Sequence, residues 1–235
     1  MQGEIYSASR PCPATASVER ARSWLFEGSK RFFDLVVSLL VILVCLPLFL
    51  LIAAAIKLES RGGVLFCQER VGRDGGLFRA LKFRSMCDGA ERQREKPHSR
   101  PGESGPVFKL KDDPRVTRVG ALLRRSSLDE LPQFFNVLVG QMSLVGPRPL
   151  PERDVTNWSR LPEGVSREAV EGWLALRHTV RPGITGLWQV SGRSLLPLQE
   201  WIRYDVQYVR ERSCLLDAKI LALTPFVVLT GRGAV

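Results

Sequence analysis

The stretch LVVSLLVILVCLPLFLLIAAAI, from Leu35 to Ile56, decides how this chain is organised. Its 22 residues carry no charge, and its single proline, Pro47, lies slightly past the middle. A helix of this length would extend about 33 Å, enough to cross the hydrocarbon of a bilayer. Both flanks are basic, with Arg20, Arg22, Lys30 and Arg31 before the stretch and Lys57, Arg61, Arg70 and Arg73 after it. Because cytoplasmic loops collect Lys and Arg, two basic flanks give a simple span no preferred orientation.

Two arrangements of this helix fit its sequence. In the first, the helix bends at Pro47 and returns to the side from which it entered, which puts both basic flanks on one side. The half before Pro47 would be about 18 Å long, so it would reach the bilayer midplane and no further. In the second, the helix is an ordinary span, in which a proline is tolerated because neighbouring groups satisfy the freed carbonyl. The spacing alone leaves both open.

The composition favours anionic partners and a reducing compartment. The 235 residues carry a formal net charge of +10 and give a pI of about 9.9. This charge favours anionic partners, and beside a membrane helix membrane lipids and phosphorylated substrates rank above nucleic acid, so we expect no nucleic-acid partner. The five cysteines form no CxxC pair, which argues against a disulfide framework or a zinc site. We therefore expect the soluble part to face the cytoplasm.

The predicted fold class is α+β, a mainly helical cytoplasmic domain with one β-hairpin, anchored by a re-entrant membrane helix that is broken at Pro47. We assign residues 1–29 to an N-terminal tail and surface segment, 30–57 to the membrane helix and 58–235 to the domain. Two β-branched and aromatic runs, 64–70 and 77–84, enclose a glycine-rich turn typical of a hairpin. The apolar run 215–230 predicts a C-terminal helix that either lies at the membrane interface or covers the core.

Two adjacent carboxylates, Asp129 and Glu130, follow two arginines in the segment RRSSLDELP, residues 124–132. One interpretation is structural, because Ser127 and Glu130 have the spacing of a helix capping box. Pro132 argues against it, since proline at the first helical position would start the helix at Leu131. In either case the carboxylates lie beside Arg124 and Arg125, a setting that keeps a carboxylate ionised. Such a pair can divide its roles between a nucleophile and a ligand for a hard cation.

Further basic residues lie in segments of restricted backbone. Arg148 stands between Pro147 and Pro149, which stiffen the chain on both sides and preorganise the guanidinium for an anion. Lys82 and Arg84 alternate with Phe83 along the second hairpin strand and are predicted to share one face. For each of these segments, a solvated turn or strand face is the structural alternative. The loop 181–193, which contains Trp188 and two arginines, is either a substrate loop or a structural loop around a buried tryptophan.

With these residues identified, the chain resembles the bacterial sugar transferase family, the small monotopic polyprenyl-phosphate phosphoglycosyl transferases. The resemblance covers some 200 residues from about Lys30 to the C-terminus. It depends on seven motifs in the order of the family: Lys30-Arg31-x-x-Asp34, Gln68-Glu69-Arg70-Val71-Gly72, Leu81-Lys82-Phe83-Arg84-Ser85-Met86, Asp113-Pro114-Arg115-Val116-Thr117, Ser127-Leu128-Asp129-Glu130-Leu131-Pro132-Gln133, Ser143-Leu144-Val145-Gly146-Pro147-Arg148-Pro149 and Arg181-Pro182-Gly183-Ile184-Thr185-Gly186. Each motif alone is weak, but seven in order are specific.

The resemblance implies a mechanism. Asp129 would attack the phosphate next to the sugar of a nucleoside diphosphate sugar, a UDP-sugar in this family, and release the nucleoside monophosphate. Polyprenyl phosphate would then take the phosphosugar from Asp129, giving polyprenyl-diphosphate-sugar. The same resemblance implies that Glu130 holds Mg²⁺. Substrate and phosphate binding are predicted for Lys82, Arg84, Arg124, Arg125, Pro147, Arg148 and Pro149.

The resemblance also implies a location and a step in assembly, without indicating which pathway. It favours the re-entrant form of the helix, with Pro47 at the bend, although Leu46 stands where some members have serine. The protein is expected in the bacterial inner membrane, at the first membrane step of polysaccharide or glycoconjugate assembly, with downstream glycosyltransferases as further partners. The sequence does not name the sugar. Two rival interpretations are a non-catalytic, membrane-tethered basic domain that binds anionic lipids or partner proteins, and a single-pass protein that binds nucleic acid.

Overall fold

The computed structural model describes residues 13–90, 113–156 and 165–230. In these parts the chain is mostly helical, with one long apolar N-terminal helix and two small sheets of two strands each. The elements in chain order are α1 (Pro13–Glu59), β1 (Leu65–Val71), β2 (Leu77–Phe83), α2 (Arg118–Arg125), α3 (Gln133–Leu138), β3 (Ser143–Val145), α4 (Glu152–Thr156), α5 (Arg167–Arg177), β4 (Gly183–Thr185), α6 (Leu187–Ser191), α7 (Leu198–Glu211) and α8 (Cys214–Thr230).

Helix α1 has one buried face and a broad exposed apolar surface. Asp34 and Ser38 are buried, and so are Ile52 and Ile56, which follow them by 18 residues, about five helical turns. The same face of the helix therefore contacts the domain along its length. The rest of the stretch exposes large apolar side chains: Leu35, Val36, Leu39, Leu40, Leu43, Val44, Leu46, Leu50 and Leu51. Such a surface is suited to lipid rather than to water.

Within the described residues, Leu25–Glu59 is the one helical stretch long and apolar enough to cross a membrane by length and composition. Anchoring of the chain by this helix is therefore plausible. Pro47 is an interior residue of α1, which continues on both sides of it. The bend at Pro47 and the return of the helix stay predictions. Helix α1 begins at Pro13, inside the segment assigned to the tail, so the three-part division of the chain also stays a prediction.

Both ends of the apolar stretch are fixed to the same domain. Before the stretch, a carboxylate oxygen of Asp34 accepts a hydrogen bond from the backbone N–H of Leu144 at 3.1 Å. After it, the Glu59 carboxylate accepts from the N–H groups of Arg118 and Val119, at 2.7 and 3.0 Å, which caps the start of α2. The domain thus lies along the helix and contacts it at its two polar ends.

The predicted hairpin is confirmed. Strands β1 and β2 pair antiparallel, with Leu65 opposite Phe83 and Val71 opposite Leu77. The intervening turn is a short 3-10 helix in which Asp74 and Gly75 adopt left-handed conformations, with φ of 56° and 76°. Such a turn reverses the chain where the glycine-rich sequence predicts it.

The second sheet is not part of the sequence-based prediction. Strand β3 pairs parallel with β4, and Ser143 lies opposite Gly183. The two backbones approach closely after β3, because a Cβ atom on Gly183 would lie 2.1 Å from the amide nitrogen of Gly146. Glycine is therefore required here by space rather than by a turn. This sheet places the residues that follow β3 beside those that begin β4.

The C-terminal helices complete the core. Trp173 of α5, Trp188 of α6 and Trp201 of α7 pack together, and the rings of Trp188 and Trp201 lie 4.5 Å apart between centroids. The helix predicted over the C-terminal apolar run is confirmed as α8. It exposes several apolar side chains: Leu215, Leu223, Phe226 and Leu229. Its position at a membrane interface stays a prediction.

Candidate active site

The two adjacent carboxylates lie on a single turn of 3-10 helix, Leu128–Glu130, between α2 and α3. Ser127 precedes the turn in the left-handed conformation, with φ of 57°, and its side chain makes no capping bond, so the capping box does not form. Helix α3 begins only at Gln133. The interpretation in which Pro132 moves the helix start beyond Glu130 therefore describes the segment better.

This carboxylate turn is fixed directly to helix α1. Leu128 and Leu131, the residues on either side of the two carboxylates, pack against a cluster that contains Ile52 and Ile56. Asp129 lies between them and is buried, with 9% of its surface exposed. The position of the carboxylates relative to the apolar stretch is therefore set by side-chain packing on the second half of that stretch.

Glu130 is held by two cations from different parts of the fold. Its Oε1 atom accepts hydrogen bonds from Lys82 Nζ at 2.7 Å and from Arg148 Nη2 at 2.5 Å, and Arg148 Nη1 donates to Oε2 at 3.1 Å. Burial alone would raise the pKa of Glu130, but the charges of Arg148 and Lys82 outweigh it and hold that pKa well below its ordinary value. Glu130 is therefore ionised at neutral pH.

Asp129 lies within the field of two arginines. Burial lowers the pKa of Arg124. The negative charge of Asp129 acts in the opposite direction and is the largest of the effects that raise this pKa. The Nε of Arg124 donates to Ser85 Oγ at 2.8 Å, which fixes its position. Burial also acts to lower the pKa of Arg148, but the Glu130 carboxylate outweighs it and Asp129 adds to the rise. Both carboxylates thus share a positive environment, as a negatively charged substrate requires.

The backbone around Arg148 is held by hydrogen bonds from three other segments. The carbonyl oxygen of Pro147 accepts from the N–H of Gly183 at 2.9 Å, and that of Pro149 accepts from Arg70 Nη1 at 2.6 Å. The carbonyl oxygen of Arg148 itself accepts from Arg177 Nη2. Pro147 and Pro149 are both buried. They are placed as supports of the Arg148 backbone, which leaves the guanidinium to face Glu130.

Two predicted site residues lie apart from this arrangement. Arg84 donates to the carbonyl oxygens of Arg61 and Ser60, at 2.6 and 2.9 Å, just after the end of α1. Lys82 donates to Glu130 instead, so the two side chains have different partners. Arg125 is exposed at the end of α2, and its side chain makes no hydrogen bond or ion pair among the described residues. Neither is brought to Glu130, and whether either binds substrate stays a prediction.

Arg193 is a cation of this site that was not among the predicted site residues. Burial lowers its pKa, while the charges of Glu130 and Arg148 also act on it, so it lies near both. It adopts the left-handed conformation, with φ of 54°, which is unusual for a residue other than glycine. The arginines of the loop 181–193 were noted in the sequence, but nothing in the local pattern indicated which one reaches the carboxylates.

The carboxylates can accommodate the predicted Mg²⁺. The described residues contain no group of three His, Cys, Asp or Glu side chains placed to hold a metal. Mg²⁺ however commonly binds through one or two carboxylates together with substrate phosphates. The three hydrogen bonds to Glu130 leave one of the roughly four lone-pair sites of a carboxylate open, on Oε2. Glu130 therefore fits a metal that is shared with a phosphorylated substrate.

The carboxylate turn thus lies between cations and is packed on the apolar helix. The chain matches the family model described as bacterial sugar transferase over residues 25–231. The chain belongs to this family, and the resemblance identified from its motifs is confirmed. The prediction of a transferase is confirmed with it.

Relatives of similar and of greater length occur in several bacteria. A galactosyl transferase, CpsE, of Streptococcus agalactiae serotype III is 41% identical over 207 residues, which cover 88% of this chain and 43% of that protein. The exopolysaccharide production protein ExoY of Sinorhizobium fredii is 38% identical over 210 residues, 88% of each chain. A UDP-glucose:undecaprenyl-phosphate glucose-1-phosphate transferase of Klebsiella pneumoniae is 42% identical over 202 residues, 84% of this chain and 39% of that one. The chain thus spans less than half of two of these relatives and most of the third.

Proposed function

We propose that this protein transfers a sugar 1-phosphate from a UDP-sugar to polyprenyl phosphate through a phosphosugar bound covalently to Asp129. The observation that carries the proposal is the carboxylate turn, in which Asp129 lies beside Arg124 and Arg148 and is packed onto the apolar helix. A relative of this chain is named as a UDP-glucose:undecaprenyl-phosphate glucose-1-phosphate transferase, and its name joins these two substrates in one reaction.

In the first step, a carboxylate oxygen of Asp129 attacks the phosphorus next to the sugar. The bond from this phosphorus to the oxygen of UMP breaks, and UMP leaves with the electron pair. In the second step, a phosphate oxygen of polyprenyl phosphate attacks the same phosphorus, and the Asp129 carboxylate is released. We assign the nucleophilic role to Asp129, as the family resemblance implies, and to Glu130 the role of holding the cations Lys82 and Arg148 in place.

The surrounding cations stabilise the charge that develops on the phosphoryl group. Arg148 and Lys82 present their charges at Glu130, and Arg124 and Arg193 add two more nearby. Preorganised cations of this kind lower the barrier of phosphoryl transfer without reorganising during the reaction. Glu130 would hold Mg²⁺ together with the donor, and the ion would neutralise diphosphate charge when bound.

We infer that the protein lies on one face of the bacterial inner membrane, with its domain in the cytoplasm. The argument is that Asp34 and Glu59, at opposite ends of the apolar stretch, both bind the same domain. A straight span would place these two contacts across about 30 Å of hydrocarbon. A helix that bends at Pro47 and returns keeps both on one side. This location gives Asp129 access to a lipid phosphate at the bilayer surface.

The covalent step is tested by mass. The purified protein is incubated with UDP-glucose, UDP-galactose or a UDP-acetamido sugar in the absence of lipid acceptor. The mass of the intact protein is then measured by mass spectrometry. We expect one sugar phosphate to be added, on Asp129, together with release of UMP. Asp129→Asn should insert into membranes and gain no mass. Product formation by a protein that never carries the adduct would overturn the covalent mechanism.

Topology is tested separately from chemistry. In a variant without other cysteines, single cysteines are placed at the exposed positions Ser29 and Lys57, on either side of the apolar stretch. Both should react with a membrane-impermeant thiol reagent from the same side of sealed vesicles. Labelling from opposite sides would exclude the re-entrant helix and leave the catalytic proposal to be judged by the mass measurement.

A further inference from the structure

A buried ion pair lies behind Arg148, on the side away from Glu130. Arg177, at the end of α5, and Asp205, on α7, expose 3% and 2% of their side chains, and Arg177 Nε lies 3.5 Å from Asp205 Oδ2. The guanidinium lies over the ring of Trp173, 4.6 Å from its centroid. Neither Arg177 nor Asp205 contacts the carboxylate turn, and neither has a role in the proposed reaction.

This pair is connected to the site through one hydrogen bond. Arg177 Nη2 donates to the backbone carbonyl oxygen of Arg148. On the other side of the same residue, the guanidinium of Arg148 holds both oxygens of Glu130. A continuous chain of contacts therefore runs from Asp205 through Arg177 and Arg148 to the carboxylate turn.

Stability alone is a poor reason to bury these charges. Arg177 Nη1 is buried and has no partner among the described residues, and an unsatisfied buried donor is destabilising. Apolar residues of similar size often replace a buried ion pair with no loss of stability. Burial raises the pKa of Asp205 to about 6, with the charge of Arg177 acting against the rise, so the pair is ionised at neutral pH. The Nε1 of Trp173 further donates to Asp205 Oδ2 at 3.0 Å and fixes the carboxylate.

We propose that Arg177, oriented by Asp205, is a positioning residue that holds the Arg148 backbone so that its guanidinium meets Glu130. The inference rests on the proposed function, in which Arg148 stabilises the transferring phosphoryl group. A shift of the Arg148 carbonyl would misplace the fork of its guanidinium, and small displacements of a positioned group cost much activity.

The test is a double-mutant cycle on the full-length protein in nanodiscs. Arg177→Met removes the donor to the Arg148 carbonyl, and Asp205→Asn leaves Arg177 in place without its carboxylate. Each is combined with Arg148→Lys, which by itself should reduce but not abolish UMP release from the UDP-sugar. Loss of the residue that supports a metal ligand typically lowers activity about 10- to 100-fold, and we expect a loss of the same order for the residue that supports Arg148.

We expect Arg177→Met and Asp205→Asn to lower kcat/KM for UMP release by this factor in the otherwise wild-type protein. In the Arg148→Lys background each should cause less than about a threefold further loss, because the group being positioned is already gone. Arg177→Lys, which keeps the charge and one donor, should recover part of the activity. Arg203→Met, at an exposed arginine of α7, is the matched control and should change nothing.

The same factor of loss in both backgrounds would show that Arg177 acts only on stability and would overturn the inference. Full activity of Arg148→Lys would instead count against the proposed role of Arg148 itself. If Arg177→Met does not fold, Trp173→Phe serves in its place, since it removes the N–H that orients Asp205 and keeps an aromatic ring, although the smaller ring also costs some stability. If Trp173→Phe lowers kcat/KM by the same factor in the wild-type and Arg148→Lys backgrounds, the inference is overturned as well.

Discussion

Arg148 and Glu130 meet through two parallel hydrogen bonds, with Nη2 2.5 Å from Oε1 and Nη1 3.1 Å from Oε2. This fork fixes the plane of the guanidinium as well as its distance from the carboxylate. Eighteen residues separate the two in the sequence, and α3 and β3 lie between them. The relationship makes the Pro-Arg-Pro segment and the carboxylate turn a single unit of the site.

Replacing Arg148 by lysine should therefore impair the enzyme although the charge is kept. Lysine is a point charge that cannot hold both oxygens of Glu130 in one plane. Removal of one preorganised donor typically lowers kcat about 10²- to 10³-fold, and we expect a loss of this order. UMP release under saturating UDP-sugar measures it. Arg203→Lys on α7 is the control, and an unchanged kcat for Arg148→Lys would show that the fork is not needed.

Glu130→Gln should change the dependence of stability on pH. The native pKa of Glu130 is held well below its ordinary value of about 4.3, so its ion pairs stabilise the native state fully above that value. This contribution is lost as the pH falls through the native pKa, because the unfolded state then binds more protons. The Tm of Glu130→Gln should thus lie below that of the wild type at pH 7, and the gap should narrow on acidification. A gap of equal size at all pH values would contradict this.

Periodicity and turn chemistry predicted the parts of the fold that are local. The hairpin follows from two β-branched runs around a glycine-rich turn, and α1 and α8 follow from apolar runs of helical length. The sheet of β3 and β4 could not be predicted in this way. Each strand has three residues, too few for a periodic pattern, and their pairing joins segments about 40 residues apart.

The residues of the site were likewise predictable where they lie in local motifs and not where they depend on contacts between distant segments. Asp129, Glu130 and Arg148 were identified because their motifs are local and are typical of the family. Arg193 was missed as a site residue, since its approach to Glu130 depends on how the loop after α6 folds back. Arg84 binds the carbonyl groups that follow α1, and this contact joins segments too far apart in the sequence for a local pattern to indicate it.

Gly183→Ala should lower both stability and activity. The added Cβ atom would lie 2.1 Å from the amide nitrogen of Gly146, so β3 and β4 would have to separate and displace the Pro-Arg-Pro segment. We expect a loss of at least about 2 kcal/mol, in the range of overpacked sites. Gly172→Ala on α5 is the matched control, because its Cβ atom would meet nothing within 4 Å and alanine favours a helix by about 1 kcal/mol. A Tm that rises for both variants would contradict the close approach of the strands.

Removal of divalent metal should stop turnover reversibly. We expect EDTA to abolish UMP release and added Mg²⁺ to restore it, because in the proposed function Glu130 holds Mg²⁺ together with the diphosphate of the donor. Ca²⁺ should restore less, since its larger radius and looser geometry suit phosphoryl transfer poorly. The control is the Tm in EDTA, which should not change if the metal binds only with substrate. Unaltered turnover in EDTA would exclude the metal from the reaction.

Lys30 and Asp217 should depend on each other for stability. Lys30 Nζ lies 2.5 Å from Asp217 Oδ2, and both side chains are nearly buried where α1 meets α8. Removing one partner leaves a buried charge uncompensated, so Lys30→Met and Asp217→Asn should each cost about 3 to 5 kcal/mol. The double variant should recover most of this, because neither charge remains and Tyr208 can still donate to the carbonyl oxygen of Val145 at 3.0 Å. Thermal unfolding of the three variants in one nanodisc composition measures the coupling, and strictly additive losses would show that the two helices do not depend on this pair.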